Sequence, residues 1–294
     1  MVNKLTIQIT VGVLLLLLTV YYILVSHTNI FSGRHHHGNT HFSRKDPRFD
    51  PLAHCTTEFG TFLGMAHDIP AYSNCHRSHR SNQIVITRFG FPDVFLPHSD
   101  GQQGNFISGA QWSAAEYASR FLFHTKGVTF PDTGVTQEIW GSKFFYNPLG
   151  IGNGEKPRTY EPLQIANFVA VKTAKERKRL APRFADVVVW LPNPERDLPD
   201  GHAAVVVHVE DDVETAGGEA QLREMQKEHV QPQLVYIAEQ NFDNKYWEGK
   251  NYSRVLRFSW KNGNEMLLQD PGDYHIIGRI RAGKLMHDIA DDDL

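Results

Sequence analysis

The sequence predicts an α+β fold, and three observations carry that reading. Apolar residues recur at helical spacing through Trp112–His124, at Ala114, Tyr117, Ala118, Phe121 and Leu122. Short β-branched runs follow at Ala185–Leu191, Ala203–Val209 and Leu234–Ala238, each bounded by turn residues. The order, helices first and antiparallel strands after, differs from the alternation that a parallel α/β sheet requires. Size agrees with this class. Of 294 residues, 41% are hydrophobic and 21% charged. Beyond about the first fifty residues, the remainder suits one ordinary domain, or at most two small ones.

Leu5–Val25 contains no charge and is long enough to span a bilayer as a helix. Ser26-His27-Thr28 follows it with no small-residue cleavage pattern, so an uncleaved anchor and a single-pass membrane location are expected. Orientation stays open. Lys4 precedes the span while Arg34, Arg44 and Lys45 follow it, which by the positive-inside rule holds the large domain in the cytosol. Asn251-Tyr252-Ser253, a glycosylation sequon, argues for the opposite face. Residues 27–50 are polar and histidine-rich and read as a juxtamembrane linker. His35-His36-His37 and His41 belong to it, and nothing nearby supplies the fixed geometry that a metal site needs. The domain proper is expected over 51–285, with an acidic tail, including Asp291-Asp292-Asp293, over 286–294.

Within the domain, the strand Ala203–Val209 and the strand Leu234–Ala238 flank a charged stretch, Glu210–Gln233, that is helix-prone around Ala220–Lys227. It reads as an insertion in a hairpin. Arg254–Trp260 alternates as a further strand, and Asn262-Gly263-Asn264 is the turn after it. Cys55 and Cys75 are the only cysteines, which excludes a disulfide-dense scaffold and a multi-cysteine zinc site. They suit one bridge in an oxidising compartment or two buried thiols elsewhere. A net charge of −3 and the lack of a basic block with interleaved aromatics speak against a nucleic-acid partner.

The residues that suggest chemistry lie at three places. Ser113-Ala114-Ala115-Glu116 fits a capping box, with Ser113 as N-cap and Ala114 at the first helical position. A cysteine there would have a depressed pKa and be a ready nucleophile, whereas alanine has no reactive group. Asp200-Gly201-His202 opens a buried strand and can aim an imidazole at a neighbouring helix start. Glu239 or Asn241, just past Val235–Ala238, can hold the second imidazole nitrogen, as the orienting member of a nucleophile–base–orienter triad does. Taken singly, each is an ordinary structural feature.

Together these segments resemble the cysteine- and histidine-dependent amidohydrolase/peptidase (CHAP) amidases. They most resemble the amidase domain of the glutathionylspermidine and trypanothione synthetase-amidases. Phe59-Gly60-Thr61-Phe62-Leu63-Gly64 and Ala71-Tyr72-Ser73-Asn74 are similar to that family's opening FG-x-x-LG and YSN segments. Gln111–Leu122 resembles WQCVEFARRFL, matching at Trp112, Glu116, Ala118, Arg120, Phe121 and Leu122. Ala185–Trp190 resembles the strand ending in IW, Gly201–Val205 the GHVAV strand, and Ile237–Asn241 the IAEQN segment. The resemblance covers about residues 55–282 and leaves the synthetase half of those bifunctional enzymes without a counterpart.

The resemblance implies a papain-like CHAP fold, with helices packed on an antiparallel sheet and no metal or organic cofactor. It makes His202 the general base, Glu239 its orienting carboxylate and Asn241 a member of the same cluster, and it puts the nucleophile at Ala114. Arg120 takes the place of one substrate-gripping arginine, and Ser119 stands where another is expected. Tyr72 and Ser73 fall in the segment that approaches the cleft. The function expected is therefore a membrane-anchored, catalytically inactive amidase-like module. Its ligand would be a peptide, a glutathionyl-polyamine conjugate or a protein. The alternative is a working amidase, which requires a neighbouring residue to act as nucleophile or the alanine to be an introduced change.

Overall fold

Strands dominate the described residues. The computed structural model describes residues 50–88, 94–96, 105–150 and 157–286, all within one unit, Arg48–Leu294. The apolar segment Leu5–Val25, the linker as far as residue 49 and the acidic tail beyond 286 lie outside the described residues. Among the described residues no helix is long and apolar enough to cross a membrane.

The first strands are β1 (Phe62–Ala66), β2 (Ile69–Tyr72), β3 (Ile84–Arg88), β4 (Val94–Leu96) and β5 (Asn105–Ala110), followed by helix α1 (Ala114–Lys126). Then come β6 (Phe145–Tyr146), β7 (Thr159–Ala166), α2 (Ala174–Leu180), β8 (Val187–Trp190) and β9 (His202–Asp211). Helices α3 (Val213–Ala216) and α4 (Glu219–Lys227) precede β10 (Gln233–Ala238), β11 (Arg254–Lys261), β12 (Glu265–Gln269) and β13 (Ile276–Leu285). The expectation of helices first is thus corrected, since five strands precede α1. Those early strands are short and form a separate hairpin, β1–β2, and a three-stranded sheet in the order β4-β3-β5. Short strands with little alternation leave a weak periodic signal.

The main sheet has eight strands in the order β12-β11-β10-β9-β8-β13-β7-β6, and the register of every neighbouring pair is antiparallel. Its centre is buried on both faces, which explains why β8 and the first half of β9 read as unbroken β-branched runs rather than as alternating ones. Val187, Val189, Ala203 and Val205 point into one core with Tyr117, Phe121 and Leu122 of α1. Val188, Trp190, Ala204 and Val206 point into a second core with Leu256, Phe258, Met266 and Leu268. Helix α1 therefore covers one face, and the curled strands β11 and β12 close over much of the other. Burying each large side chain of α1 contributes about 1.5–3 kcal/mol. The charged insertion between β9 and β10 forms α3 and α4, as its composition suggested.

The helix begins at Ala114, as the capping box predicted, and Trp112 takes a left-handed φ of 62° in the turn before Ser113. The strand over Ala185–Leu191 begins at Val187, because Ala185 takes a φ of 68°. The cysteines form the bridge, Cys55–Cys75, and it encloses the β1–β2 hairpin.

Candidate active site

The start of α1 is built from its capping residues. Ser113 accepts a hydrogen bond from the Glu116 amide at 3.1 Å, satisfying one of the orphan donors of the first turn. The reciprocal half of the capping box does not form. Glu116 instead accepts from Nε of Arg120 at 2.5 Å and from the side-chain amide Nε2 of Gln240 at 2.6 Å. Gln240 also donates to the Ser113 carbonyl at 3.0 Å, tying the segment after β10 to the helix start. Gly109 lets β5 approach, since a Cβ there would meet Glu116 at 3.2 Å. Ala114 is thus held in a well-fixed frame and is 3% exposed.

His202 is the first residue of β9 and lies opposite Trp190 of β8. Gly201 makes this start possible, with a φ of 70° and no room for a side chain, because a Cβ would come 2.5 Å from the Trp190 carbonyl. The imidazole Nε2 sits 2.7 Å from Oε2 of Glu239, which directly follows β10. A carboxylate only accepts, so Nε2 carries the proton and Nδ1 is left with its lone pair.

Glu239 is held in turn by Arg254, the first residue of β11, through Nε at 2.6 Å and Nη2 at 3.0 Å. The Ser253 hydroxyl lies 3.2 Å from its Oε1. Arg254 continues to Asp270 through Nη1, at 3.0 and 3.2 Å. Asp270 also accepts from Trp190 Nε1 at 2.9 Å and from the Gly272 amide at 2.7 Å. The Arg254 guanidinium lies 3.6 Å from the centre of the Phe242 ring, and Arg77 covers that ring at 4.5 Å.

These contacts set the protonation states. Burial alone would raise the Glu239 carboxyl, but the Arg254 charge and the His202 hydrogen bond outweigh it and hold Glu239 well below the usual carboxylate range. Burial also lowers the His202 pKa below the ordinary histidine value. The Glu239 bond opposes that shift, while Arg254 and Arg77 reinforce it. His202 and Glu239 therefore form a hydrogen bond between a neutral imidazole and a carboxylate whose charge Arg254 already balances. A neutral, oriented imidazole is the form a general base requires.

Ala114 and His202 line the same cleft, of about 160 Å³. Ser113 and Ala115 line it beside Ala114. Thr133–Thr136 and Leu198–Gly201 form further parts of its wall, and Asn74, Arg77 and Asn241 another. Asn241, at a φ of 60°, and Asn74 keep buried Oδ1 atoms with no partner among the described residues. Arg80 and Asp200 pair at its rim. Among the described residues no group of three or more His, Cys, Asp or Glu side chains is placed to hold a metal ion.

The structure thus brings Ala114, His202 and Asn241 to one cleft, with Glu239 directly behind His202. The four residues expected to grip substrate line no part of it. Arg120 is 1% exposed, paired with Glu116 and bonded to the Pro70 carbonyl at 2.9 Å. Ser119 is buried against the Thr129 hydroxyl at 2.7 Å. Ser73 donates to the Thr57 carbonyl and accepts from the Cys75 amide. The Tyr72 ring packs 4.2 Å from that of Trp112.

No protein-family model matches the chain. It is similar to a glutathionylspermidine synthase of Crithidia fasciculata, with 24% identity over 265 residues, covering 88% of this chain and 30% of that protein. It is also similar to a trypanothione synthetase of the same organism, with 25% identity over 221 residues, covering 74% of this chain and 26% of that one. The chain is a distant homologue of both. It spans less than a third of the length of either relative.

Sequence reasoning missed the residues behind Glu239. Arg254 and Asp270 stand at the two ends of the β11–β12 hairpin, so pairing of those strands brings the two charges together. A cation opening a hairpin and an anion just past its end was the available signal. Nothing in the linear pattern pointed to Arg77 or Phe242, which reach the cluster from separate loops.

Proposed function

We propose that this domain is an amidase-like module that binds a ligand in the Ala114–His202 cleft without cleaving it, and that Leu5–Val25 anchors it to a membrane. The observation that carries the reading is the pairing of a complete base, His202 held by Glu239, with a capped helix start that ends in a methyl group. The base half can accept a proton, but the position that should release one has none.

Neither Ser113 nor Cys75 offers a replacement nucleophile. The Ser113 hydroxyl is turned to the Glu116 amide as a helix cap, and Cys75 is consumed in the disulfide. A peptide or a glutathionyl-polyamine conjugate is the ligand class we favour. The distant relatives are named for glutathionylspermidine and trypanothione, and the cleft offers mixed charge, with Arg77, Arg80 and Asp132 along its walls.

The decisive variant is Ala114→Cys, assayed on glutathionylspermidine and on short peptides. A thiol beside a working base should give amide hydrolysis at least about 10²-fold above the unsubstituted protein, the lower end of what a positioned base contributes, and alkylation should abolish it. Hydrolysis by the unsubstituted protein at enzyme-like rates would sink the inactive reading. An Ala114→Cys protein that alkylates readily yet cleaves none of these substrates would sink the amidase-like one.

A further inference from the structure

We infer that this domain folds in an oxidising, extracytosolic compartment and carries an N-linked glycan on Asn251. Two independent features point there. Cys55 and Cys75 are the only cysteines of the chain, and they are joined to one another. A structural disulfide of this kind persists in secretory and extracellular compartments and is rare in a reducing cytosol.

The second feature is the sequon Asn251-Tyr252-Ser253, the only Asn-x-Ser/Thr of the 294 residues in which x is not proline. It lies in the connection between β10 and β11. Glu248, Gly249, Lys250 and Asn251 are consecutively exposed there, in a turn that Glu248 and Gly249 form with φ of 55° and 77°. A sugar on the Asn251 amide would meet solvent and displace nothing from the core.

The sequon's serine adds an order of events. In the folded protein the Ser253 hydroxyl is bonded to the Ile237 carbonyl at 2.9 Å and lies 3.2 Å from Glu239. It is not free to take part in recognition by a glycosyl-transferring enzyme once β11 has paired with β10. Modification therefore belongs to the emerging chain, before this hairpin closes, which is when a translocating chain meets that machinery. The bland account is that Ser253 exists only to hold Glu239, and the variants below separate the two roles.

The charge flanking Leu5–Val25 favours the opposite orientation, but only by residues near the limit of what the rule weighs. The positive-inside rule weighs residues within about 15–20 positions of the span. Close to it, Lys4 on one side is matched by Arg34 on the other, while Arg44 and Lys45 lie at the edge of that window.

The test is translation of the full chain, with its own N-terminal sequence, in the presence of endoplasmic-reticulum microsomes. The expected product is protected from added protease and loses one glycan on treatment with peptide N-glycosidase. Asn251→Gln and Ser253→Ala should lack that glycan, and Ser253→Thr should keep it. Alkylation under denaturing, non-reducing conditions should find no free thiol before reduction and two after it, in Asn251→Gln as in the unsubstituted chain. A protease-accessible, unglycosylated domain would overturn the inference, as would two alkylatable thiols in the translocated product.

Discussion

The two halves of the cleft are built to different standards of commitment. On one side, His202, Glu239 and Asp270 are buried and the part-buried Arg254 joins them into a continuous relay in which each charge has an opposite neighbour. On the other, α1 presents a capped, close-packed start with the unreactive side chain of Ala114 at its first position. The difference follows from what each loss costs. Removing one partner of a buried charge network strands the others, at about 3–5 kcal/mol. Exchanging a thiol for a methyl group at a capped first helical position disturbs little. A buried dyad of this kind can be kept by the fold alone, so the intact His202–Glu239 pair is not by itself a sign of turnover.

That contrast can be broken or sharpened experimentally. The largest effect is expected from Ala114→Cys, already described, which should change rate by orders of magnitude while leaving stability nearly unchanged. Next, Glu239→Ala should destabilise the domain by about 3 kcal/mol, since it takes one of two carboxylates from the part-buried Arg254 and the only side-chain acceptor described for His202 Nε2. Chemical denaturation would measure this, and a loss below about 1 kcal/mol would mean the relay is not structural.

Reduction of Cys55–Cys75 comes third. It opens a link of sequence separation 20, for which chain entropy predicts about 3 kcal/mol of lost stability. Thermal unfolding with and without reductant would show it. The fourth effect depends on pH. The folded state holds His202 with its pKa depressed, so below the unfolded histidine value, about 6.5, the unfolded chain binds a proton that the folded one refuses. Stability should therefore fall as pH drops below that value, and this slope should be shallower in His202→Gln by up to about 1.4 kcal/mol per pH unit. Identical slopes in the two proteins would mean that His202 is not held neutral. Glu239, also depressed, adds a loss only below the ordinary glutamate range, as pH falls toward its folded value. The smallest effect belongs to Ser113→Ala, which removes the cap on α1 and should cost about 1 kcal/mol, again by denaturation.

Much of the site was legible locally. The S-x-x-E pattern placed Ala114 at the helix start because a cap needs only its own first turn to be satisfied. The Gly201-His202 strand opening was legible because a buried strand shows as an apolar run. What stayed hidden depended on distant partners. The capping box failed in its second half because Gln240 and Arg120 compete for Glu116. Arg120, expected to grip substrate, is instead the buried counter-charge of that same glutamate. The early strands were missed because they are too short to show a period.

By itself, then, the sequence determined the α+β class, the helix that frames Ala114 and the strand that opens on His202. Each of these is specified by residues within a turn or a strand of one another. Only the tertiary structure decided that Glu239 is neutralised by Arg254, that Arg254 is anchored by Asp270, and that Ser119, Arg120, Tyr72 and Ser73 line no part of the cleft. Those assignments arise where strand pairing and packing bring together residues far apart in the chain, and each polar group buried there takes whatever partner the fold sets beside it.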